Sequence, residues 1–443
     1  MTENKPKRIK VLHLIKSLGR GGAEKLIPET ALVHDQSKFE FHCLYFYYQK
    51  NNIVDELEAS GIIVHLIPSS NLGLFFQVKK VRDFIQKNGF DILHAHLPWA
   101  GILARFVGKQ IEIPIVYTEH NTWDRYNKVS YFGNRFTFKQ QDIAIAVSNE
   151  VALSMQLNSF FDPYQRGGRL KIKVIQNGVN TNVFRRMTSG RLETRSEMPG
   201  ASIMYQGLST QFEKSETQET RNEKLSSTWF GTGEANRGSQ EGLSGTLTPL
   251  SNLSLKTQLG IPETAPVIGK VAVFRSQKRL WLWVEVALAI LKECPETHFL
   301  LVGDGEWRDR ILDQIRRSGM QEHFHWVGVQ KQVIPYLSIM DIYMSSSEFE
   351  GLPIAMLEAM SCEVPVVATR AGGIGEVIQD GVQGYLTEID EWKKLADYCI
   401  LMIRDADSRM KMAKSARSRV IEKFSMRRMV SELEEVYREV LKK

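Results

Sequence analysis

The chain has 443 residues, 43% hydrophobic and 24% charged. That is too long for one ordinary domain and has the composition of a soluble globular protein. It holds no apolar run long enough for a transmembrane helix, and the polar, basic start Met1 to Lys10, followed by the short run Val11 to Ile15, does not read as a signal peptide. The net charge of +6 is uneven: residues 1–185 carry 24 Lys and Arg against 16 Asp and Glu, the remainder 33 against 35. Because the basic residues are dispersed, a membrane surface or a phosphate-bearing substrate is a better partner than nucleic acid. The four cysteines, Cys43, Cys294, Cys362 and Cys399, form no close pair. This argues against a disulfide framework or a zinc site and fits a reducing cytoplasm.

In chain order, strand-like runs are expected at Ile9–Ile15, Phe39–Tyr47, Ile62–Ile67, Asp91–Leu97, Ile113–His120, Ile143–Val147 and Ile172–Val179, with helical patterns between them. Such alternation predicts a parallel sheet covered on both faces. The pattern stops near Phe184. Residues 185–252 are rich in Ser, Thr, Gly, Glu and Arg and poor in aliphatics, a composition that buries too little apolar surface to offset ordering entropy. They are expected to form a long, mostly disordered insertion. Alternation resumes at Val267–Phe274, His298–Val302, His325–Gly328, Asp341–Met344 and Val364–Thr369, and a charged helical segment ends the chain. The fold class predicted is α/β, two doubly wound Rossmann-like domains in tandem, with ligands at the carboxyl ends of the strands and in the cleft between the domains.

The chemistry concentrates at predicted strand ends. Gly19-Arg-Gly-Gly-Ala-Glu24 follows the first strand and opens a helix, so that Gly21 and Gly22 allow close approach of a phosphate or sugar. The run lacks the last glycine of the dinucleotide fingerprint. His94 and His96 end one strand, and His120 ends another within a polar cluster; no Cys or further His accompanies them at ligand spacing, so no metal is expected. Trp123, Tyr126, Tyr131, Phe132, Phe136 and Phe138 alternate with Arg125, Lys128 and Arg135. This mixture suits a membrane interface or an amphipathic acceptor and equally suits a helix packed on the sheet. Arg275 and Lys278 lie just past a strand end, where cations can neutralise a leaving diphosphate. Gly303 and the run His325 to Val329 end the next two strands. Finally, Glu350-Gly-Leu-Pro-Ile-Ala-Met-Leu-Glu358 sets two carboxylates about 12 Å apart if helical. Pro353 is read as the first helical residue, and the exposed backbone amides within Leu352 to Ala355, those of Leu352, Ile354 and Ala355, are expected to favour an anion. Asp405-Ala-Asp407 imitates a metal–diphosphate triplet but sits in a charged helical region and reads as a solvated face.

These residues resemble retaining family 4 glycosyltransferases of the GT-B fold. The resemblance covers nearly the whole chain outside 185–252. Its most specific part is Ser347 to Met360, continued by Val364 to Thr369 and Gly372 to Glu376, with support from Gly19 to Glu24, Asp91 to His96, Val174 to Val179 and Leu301 to Gly305. The resemblance implies domains at 1–184 (acceptor) and 253–424 (nucleotide-sugar donor), with a final helix at 425–443 crossing back to the first. It implies that Glu350 binds donor-sugar hydroxyls, Glu358 the ribose, Lys278 the diphosphate, and Gly21 and Gly22 the donor phosphate or acceptor. His120 would face the transferred sugar and the Val329 backbone would support the base. One departure stands out: the family often has an Arg five residues before the Lys, and here that place is Val273, with Arg275 the nearest substitute.

The function expected is transfer of a sugar from a nucleoside diphosphate sugar to a lipid-linked or polysaccharide acceptor, without cofactor or divalent metal. The place expected is the cytoplasm, with peripheral contact to an anionic membrane. A nucleotide-sugar epimerase of the same fold and a non-catalytic sugar-nucleotide binder share these residues and stay open at this point.

Overall fold

The computed structural model describes residues 7–19, 21–50, 52–70, 73–155, 170–187 and 254–442. From residue 188 onward, the insertion predicted over 185–252 lies outside the described residues. The alternating pattern forms two parallel sheets. The first takes β1 (Ile9–Leu14), β2 (Phe39–Tyr45), β3 (Ile63–Leu66), β4 (Ile92–His96), β5 (Ile115–Glu119), β6 (Ile143–Ala146) and β7 (Lys171–Val174), in the order β3-β2-β1-β4-β5-β6-β7. The second takes β8 (Val267–Val271), β9 (His298–Val302), β10 (Phe324–Trp326), β11 (Ile342–Ser345), β12 (Val366–Thr369) and β13 (Gly384–Thr387), in the order β10-β9-β8-β11-β12-β13. Both are doubly wound α/β layers, the fold class the sequence predicts.

Strands β4, β5 and β6 are buried at every residue because helices cover both faces, which is why they read as unbroken apolar runs. In each sheet the order reverses beside the first strand, with β1 between β2 and β4 and β8 between β9 and β11. Crossover helices leave in opposite directions there and open a crevice at the carboxyl ends of those strands.

Three differences from the predicted elements have local causes. Strand β13 was not anticipated: it opens on Gly384, whose φ of 146° few other residues adopt, and it follows the turn-like run Asp380-Gly-Val-Gln-Gly384. Strand β7 ends at Val174 rather than Val179, since Gln176 and Asn177 turn to bond the other half of the molecule. Strand β8 ends at Val271 rather than Phe274, as the Phe274 amide donates to the Asp304 carbonyl in the loop after β9.

The helix Met426–Val440 packs Met429, Val430, Leu433 and Tyr437 among Leu26, Ile27, Phe39 and Phe41 of the first half. Its start is tied to the segment after β7: the Val179 amide donates to Phe424, and Met426 donates back to Val179, both at 2.9 Å. A Cβ on Gly178 would lie 2.7 Å from the Ser425 carbonyl oxygen, so only glycine permits this approach.

Candidate active site

The crevice of the second sheet is built around one ion pair. Lys278 closes a short turn, Ser276–Lys278, after β8. Arg279 then takes a left-handed φ of 44°, held by guanidinium bonds to the carbonyls of Ser346 (2.8 Å) and Ile389 (3.0 Å). Such a conformation costs on the order of 1 kcal/mol and persists where surrounding bonds fix it. Lys278 Nζ lies 2.7 and 2.6 Å from the two carboxylate oxygens of Glu350, which also accepts from Ser347 Oγ at 2.8 Å. Burial alone would raise the Glu350 pKa; the charges of Lys278 and Lys270 and the bonds from Lys278 and Ser347 outweigh it and hold the carboxyl below its ordinary range. Behind the pair, the buried Lys270 ammonium donates to Ser345 Oγ at 2.6 Å, and Ser345 and Ser347 share a bond of 3.1 Å. A continuous line of hydrogen bonds therefore runs from Lys270 to Glu350. Burial lowers the Lys270 pKa to about 7, with Glu350 opposing and Lys278 adding to the shift.

The segment after Glu350 departs from the predicted geometry. Pro353 is the N-cap, with ψ of 111°, and the helix runs Ile354–Ser361. Glu350 thus stands outside the helix, and the spacing of about 12 Å expected for a continuous helix does not apply. The amides of Ile354 and Ala355 precede the first intrahelical bonds. The Leu352 carbonyl accepts from Asn177 Nδ2 at 2.9 Å. Glu358, buried and one turn after Ile354, lies on the same helix face. That face meets the helix Gly22–Ala31 of the first half: Ile354 Cδ1 is 3.5 Å from where a Cβ on Gly22 would stand. Burial raises both Glu29, on that helix, and Glu358; the Glu358 charge adds to the rise in Glu29, while Lys25 opposes both.

Gly21 is the N-cap of the Gly22–Ala31 helix, with Glu24 folded back against it. Burial raises Glu24, and its own backbone bond and the Arg275 charge oppose the rise. Arg275, though exposed, is therefore felt across the cleft. The carbonyl of His120 presses on Gly351, where any Cβ would collide with it. The His120 amide donates to Glu119 Oε1 at 2.9 Å. Its ring lines a cavity of about 20 Å³ together with His13, His94 and His96, and its Nε2 is sealed from solvent with no partner among the described residues. Burial lowers His120 to about 4 and His13 to about 3, so both are neutral at physiological pH.

The three other histidines form a ladder across β1 and β4, since His13 and His94 are in register. His13 Nδ1 and His96 Nε2 share a bond of 2.9 Å; His94 bonds Tyr437 (2.8 Å) and Thr118 (2.7 Å). One ring nitrogen from each of His13, His94 and His96 lies within 4.8 Å of the others, a group able to hold a metal ion. The expectation of no further His at ligand spacing missed His13, which only the sheet brings near. His13 Nδ1 and His96 Nε2 engage each other and both His94 nitrogens engage Tyr437 and Thr118, while His96 Nδ1 is buried with no partner among the described residues.

At the far end of the second crevice, Gly303 has φ of 127° and lies against the Ala272 carbonyl, its amide donating to Gly328 at 2.7 Å. This brings the loops after β8, β9 and β10 together, with Val329 half exposed beside them. Asp405 caps the helix Ala406–Lys423, accepting from the Ser408 amide at 2.9 Å, as befits a solvated helix start.

Two family models match the chain: the one described as Glycosyltransferase Family 4 over residues 20–183, and the one described as Glycosyl transferases group 1 over residues 252–419. The chain belongs to the family 4 glycosyltransferases. Among curated relatives, it is 35% identical to the N-acetyl-alpha-D-glucosaminyl L-malate synthase of Bacillus anthracis over 188 residues, 42% of this chain and 49% of that protein. The matched stretch thus spans about half of that relative. It is 21% identical to the putative glycosyltransferase EpsD of Bacillus subtilis, over 87% of this chain and 85% of that one. Of the solved structures, Anabaena Alr3699/HepE in complex with UDP and glucose superposes with a TM-score of 0.72 at 20% identity, covering 97% of this chain and 99% of that one. At that identity the likeness establishes the GT-B fold.

Within this family 4 chain, several residues that the sequence reading passed over hold the site. Glu119 is fully buried and accepts from the hydroxyls of Tyr117 and Tyr126, from Trp123 Nε1 at 3.0 Å and from the His120 amide. Trp123 and Tyr126 of the aromatic run are thus internal supports, whereas Phe132 and Phe136 are exposed. Glu376 accepts from Asn149 Nδ2 (2.8 Å) and Gln176 Nε2 (2.7 Å), joining the two halves. The one signal in the sequence was a Lys in an otherwise apolar strand, Lys270.

Proposed function

We propose that the chain transfers a sugar from a nucleoside diphosphate sugar to an acceptor hydroxyl, with retention at the anomeric carbon, in the assembly of a cell-surface polysaccharide, lipopolysaccharide or glycolipid. The observation that carries this reading is the Lys278–Glu350 pair at the β8–β11 crevice, facing His120 and the glycine-started helix of the other half. The UDP and glucose of the Anabaena neighbour support such a donor.

On this reading, Lys278, Arg275 and the amides of Ile354 and Ala355 stabilise the departing diphosphate by charges fixed in advance. Glu350, held ionised, takes hydroxyls of the donor sugar, and Glu358 takes the ribose. Gly303 and Val329 lend backbone to the base, and Gly21 and Gly22 leave room for phosphate or acceptor. Neutral His120 is the residue of the first half that faces the transferred sugar. Glu119, the carboxylate nearest His120, is saturated by its donors and is not free to attack carbon. That supports a same-face course in which the leaving phosphate accepts the acceptor's proton, with no metal or cofactor taking part. Closure of the halves excludes water from the activated donor. The enzyme would work at the cytoplasmic face of a membrane, the basic first half against anionic lipid. Among the described residues no helix is long and apolar enough to cross it.

A thermal-shift screen of nucleoside diphosphate sugars identifies the donor, since a binding donor raises the melting temperature. Nuclear magnetic resonance of the product then reads the anomeric configuration. Lys278→Ala and Glu350→Ala are each expected to lower kcat/KM by about 100-fold or more; unchanged turnover in both would remove the site assignment. Donor incubated alone should slowly release free sugar and nucleotide. An isomerised nucleotide sugar would mean an epimerase instead.

A further inference from the structure

A groove of about 490 Å³ lies on the first half, away from the crevice of the second sheet, between the helices Val78–Asn88, Leu97–Gly108 and Lys128–Thr137. Its volume falls within the roughly 300–1,000 Å³ of ligand pockets. Its walls are Val78, Trp99, Ile102, Phe106, Val129 and Phe136. Gly133 forms the floor, since a Cβ there would lie 2.9 Å from Ile102 Cδ1. Val129 and Phe136 are 68% and 61% exposed. Apolar side chains set around a concavity and left in water mark a binding surface more often than scattered ones do.

Two of the groove's helices start on the cleft side of the sheet. The helix Leu97–Gly108 begins directly after His96 at the end of β4, and the helix Lys128–Thr137 follows β5 and His120. Both therefore start at the carboxyl ends of neighbouring parallel strands and run back alongside each other. Trp99 and Val129 sit in their first turns; Phe106 and Phe136 each come seven residues later on the same face. The groove thus leads about 10 Å from the cleft edge down the outside of the domain.

Two cations stand at its ends: Lys109, beside Phe106, and Lys128, beside Val129, are exposed, and Asp83 is the sole carboxylate in the three helices. Lys109 Nζ lies 5.5 Å above the Phe106 ring. At the cleft end, Arg125 stacks 4.2 Å over Phe349 of the other half and is shared with Asp124 at 3.2 Å and Glu348 at 3.8 Å, with the exposed Lys128 three residues on. An apolar trough that starts at the cleft side of the sheet, with a cation at each end, matches a molecule with one hydrocarbon chain and an anionic head.

We propose that this groove holds the hydrocarbon chain of an alkyl or isoprenyl phosphate, with the phosphate at the cleft edge near Arg125 and Lys128 and the chain running toward Phe106 and Phe136. The proposal rests on the transferase reading above, in which this amphiphile is the lipid end of the sugar acceptor. The groove carries the chain so that the head, and any sugar built on it, stands beside His120.

The test uses the full chain and decyl phosphate or farnesyl phosphate below its aggregation threshold, titrated without donor. Saturable binding of one amphiphile per chain is expected by calorimetry, with a change in tryptophan fluorescence that Trp99→Phe abolishes. Val129→Asp and Phe136→Asp, both on exposed positions, should keep the wild-type melting temperature and weaken binding at least tenfold. No saturable binding, or equal binding in these variants, would overturn the proposal. So would retention on anionic vesicles without binding of the dispersed amphiphile, because the surface would then be a bilayer contact. The two readings fail separately: amphiphile binding without sugar transfer to any hydroxyl-bearing acceptor, lipid-linked or soluble, counts against the transferase reading alone, and sugar transfer to a soluble acceptor without amphiphile binding counts against the groove alone.

Discussion

Lys278 and Glu350 each satisfy the other, so the donor proposed above would meet a charge pair already formed. A buried pair of this kind is poor at adding stability but costs about 3–5 kcal/mol when one member is removed, since the other is left uncompensated. Lys270 sits behind it as a second cation in the strand, linked through Ser345 and Ser347. It touches neither the cleft surface nor the proposed donor, and acts by position and charge. Lys270→Met keeps the volume and removes one of the charges holding Glu350 below its ordinary pKa. The acidic limb of the kcat/KM profile should then move to higher pH, with a smaller loss of turnover than in Lys278→Ala. An unmoved limb would show that Lys270 is only a strand residue. Gly351 is the other decisive position. Gly351→Ala sets a methyl into the His120 carbonyl, so the halves cannot close. Turnover should fall by at least tenfold while the melting temperature changes little.

At the level of elements, most strands were legible because a parallel sheet buried on both faces writes itself as apolar runs. What was not legible follows from the same physics. Strand β13 is short, starts with Gly384 and hides among turn residues. Pro353 caps rather than opens its helix, a difference of one residue that only the backbone decides. Lys278, Glu350 and Gly303 were visible as strand-end motifs, whereas Lys270 and Glu376 work through partners far off in sequence, and Glu119 through near neighbours that only the turn after β5 folds onto it. The imidazole ladder illustrates the point, for His13 and His94 meet only through the β1–β4 register. Its rings and that of His120 are held neutral by burial, with His13 and His120 at about 3 and 4 and His94 and His96 well below the usual value of 6.5. Below pH 6.5 the unfolded chain takes up protons that the folded one refuses, so stability is lost as pH falls. Each such group contributes on the order of 1.4 kcal/mol per pH unit until its folded pKa is reached. Denaturant midpoints measured from pH 7 to pH 4 should drop steeply, and His13→Phe should flatten the drop. A midpoint independent of pH over that range would contradict the buried, neutral ladder.

Across the whole molecule, the halves are joined by the Glu376 bonds, by Asn177 on the Leu352 carbonyl and by the returning helix Met426–Val440. One pair of charges works against this closure. Glu358 of the second half is buried and Glu29 of the first half-buried, and Glu29 Oε2 is sealed with no partner among the described residues. Burial, then the Glu358 charge, raises Glu29 from 4.5 to about 8. A carboxyl raised in this way is protonated when the fold closes over it, so the folded state binds more protons than the unfolded one between those values. Stability from this source therefore falls as pH rises through that window and is constant above it. The histidine ladder acts with opposite sign and below pH 6.5, so the two are separable by substitution. Glu29→Gln removes the ionisation and keeps the shape. Its stability relative to the wild type should grow from about pH 5 to about pH 8 and then level off. Because ionised Glu29 also pushes on Glu358, the proposed ribose ligand, the wild-type KM for donor should rise above pH 8 while that of the variant stays flat. Parallel stability curves for the two proteins would mean that Glu29 is ionised throughout. The cleft would then close on a charged pair, with Lys25 as its counter-charge.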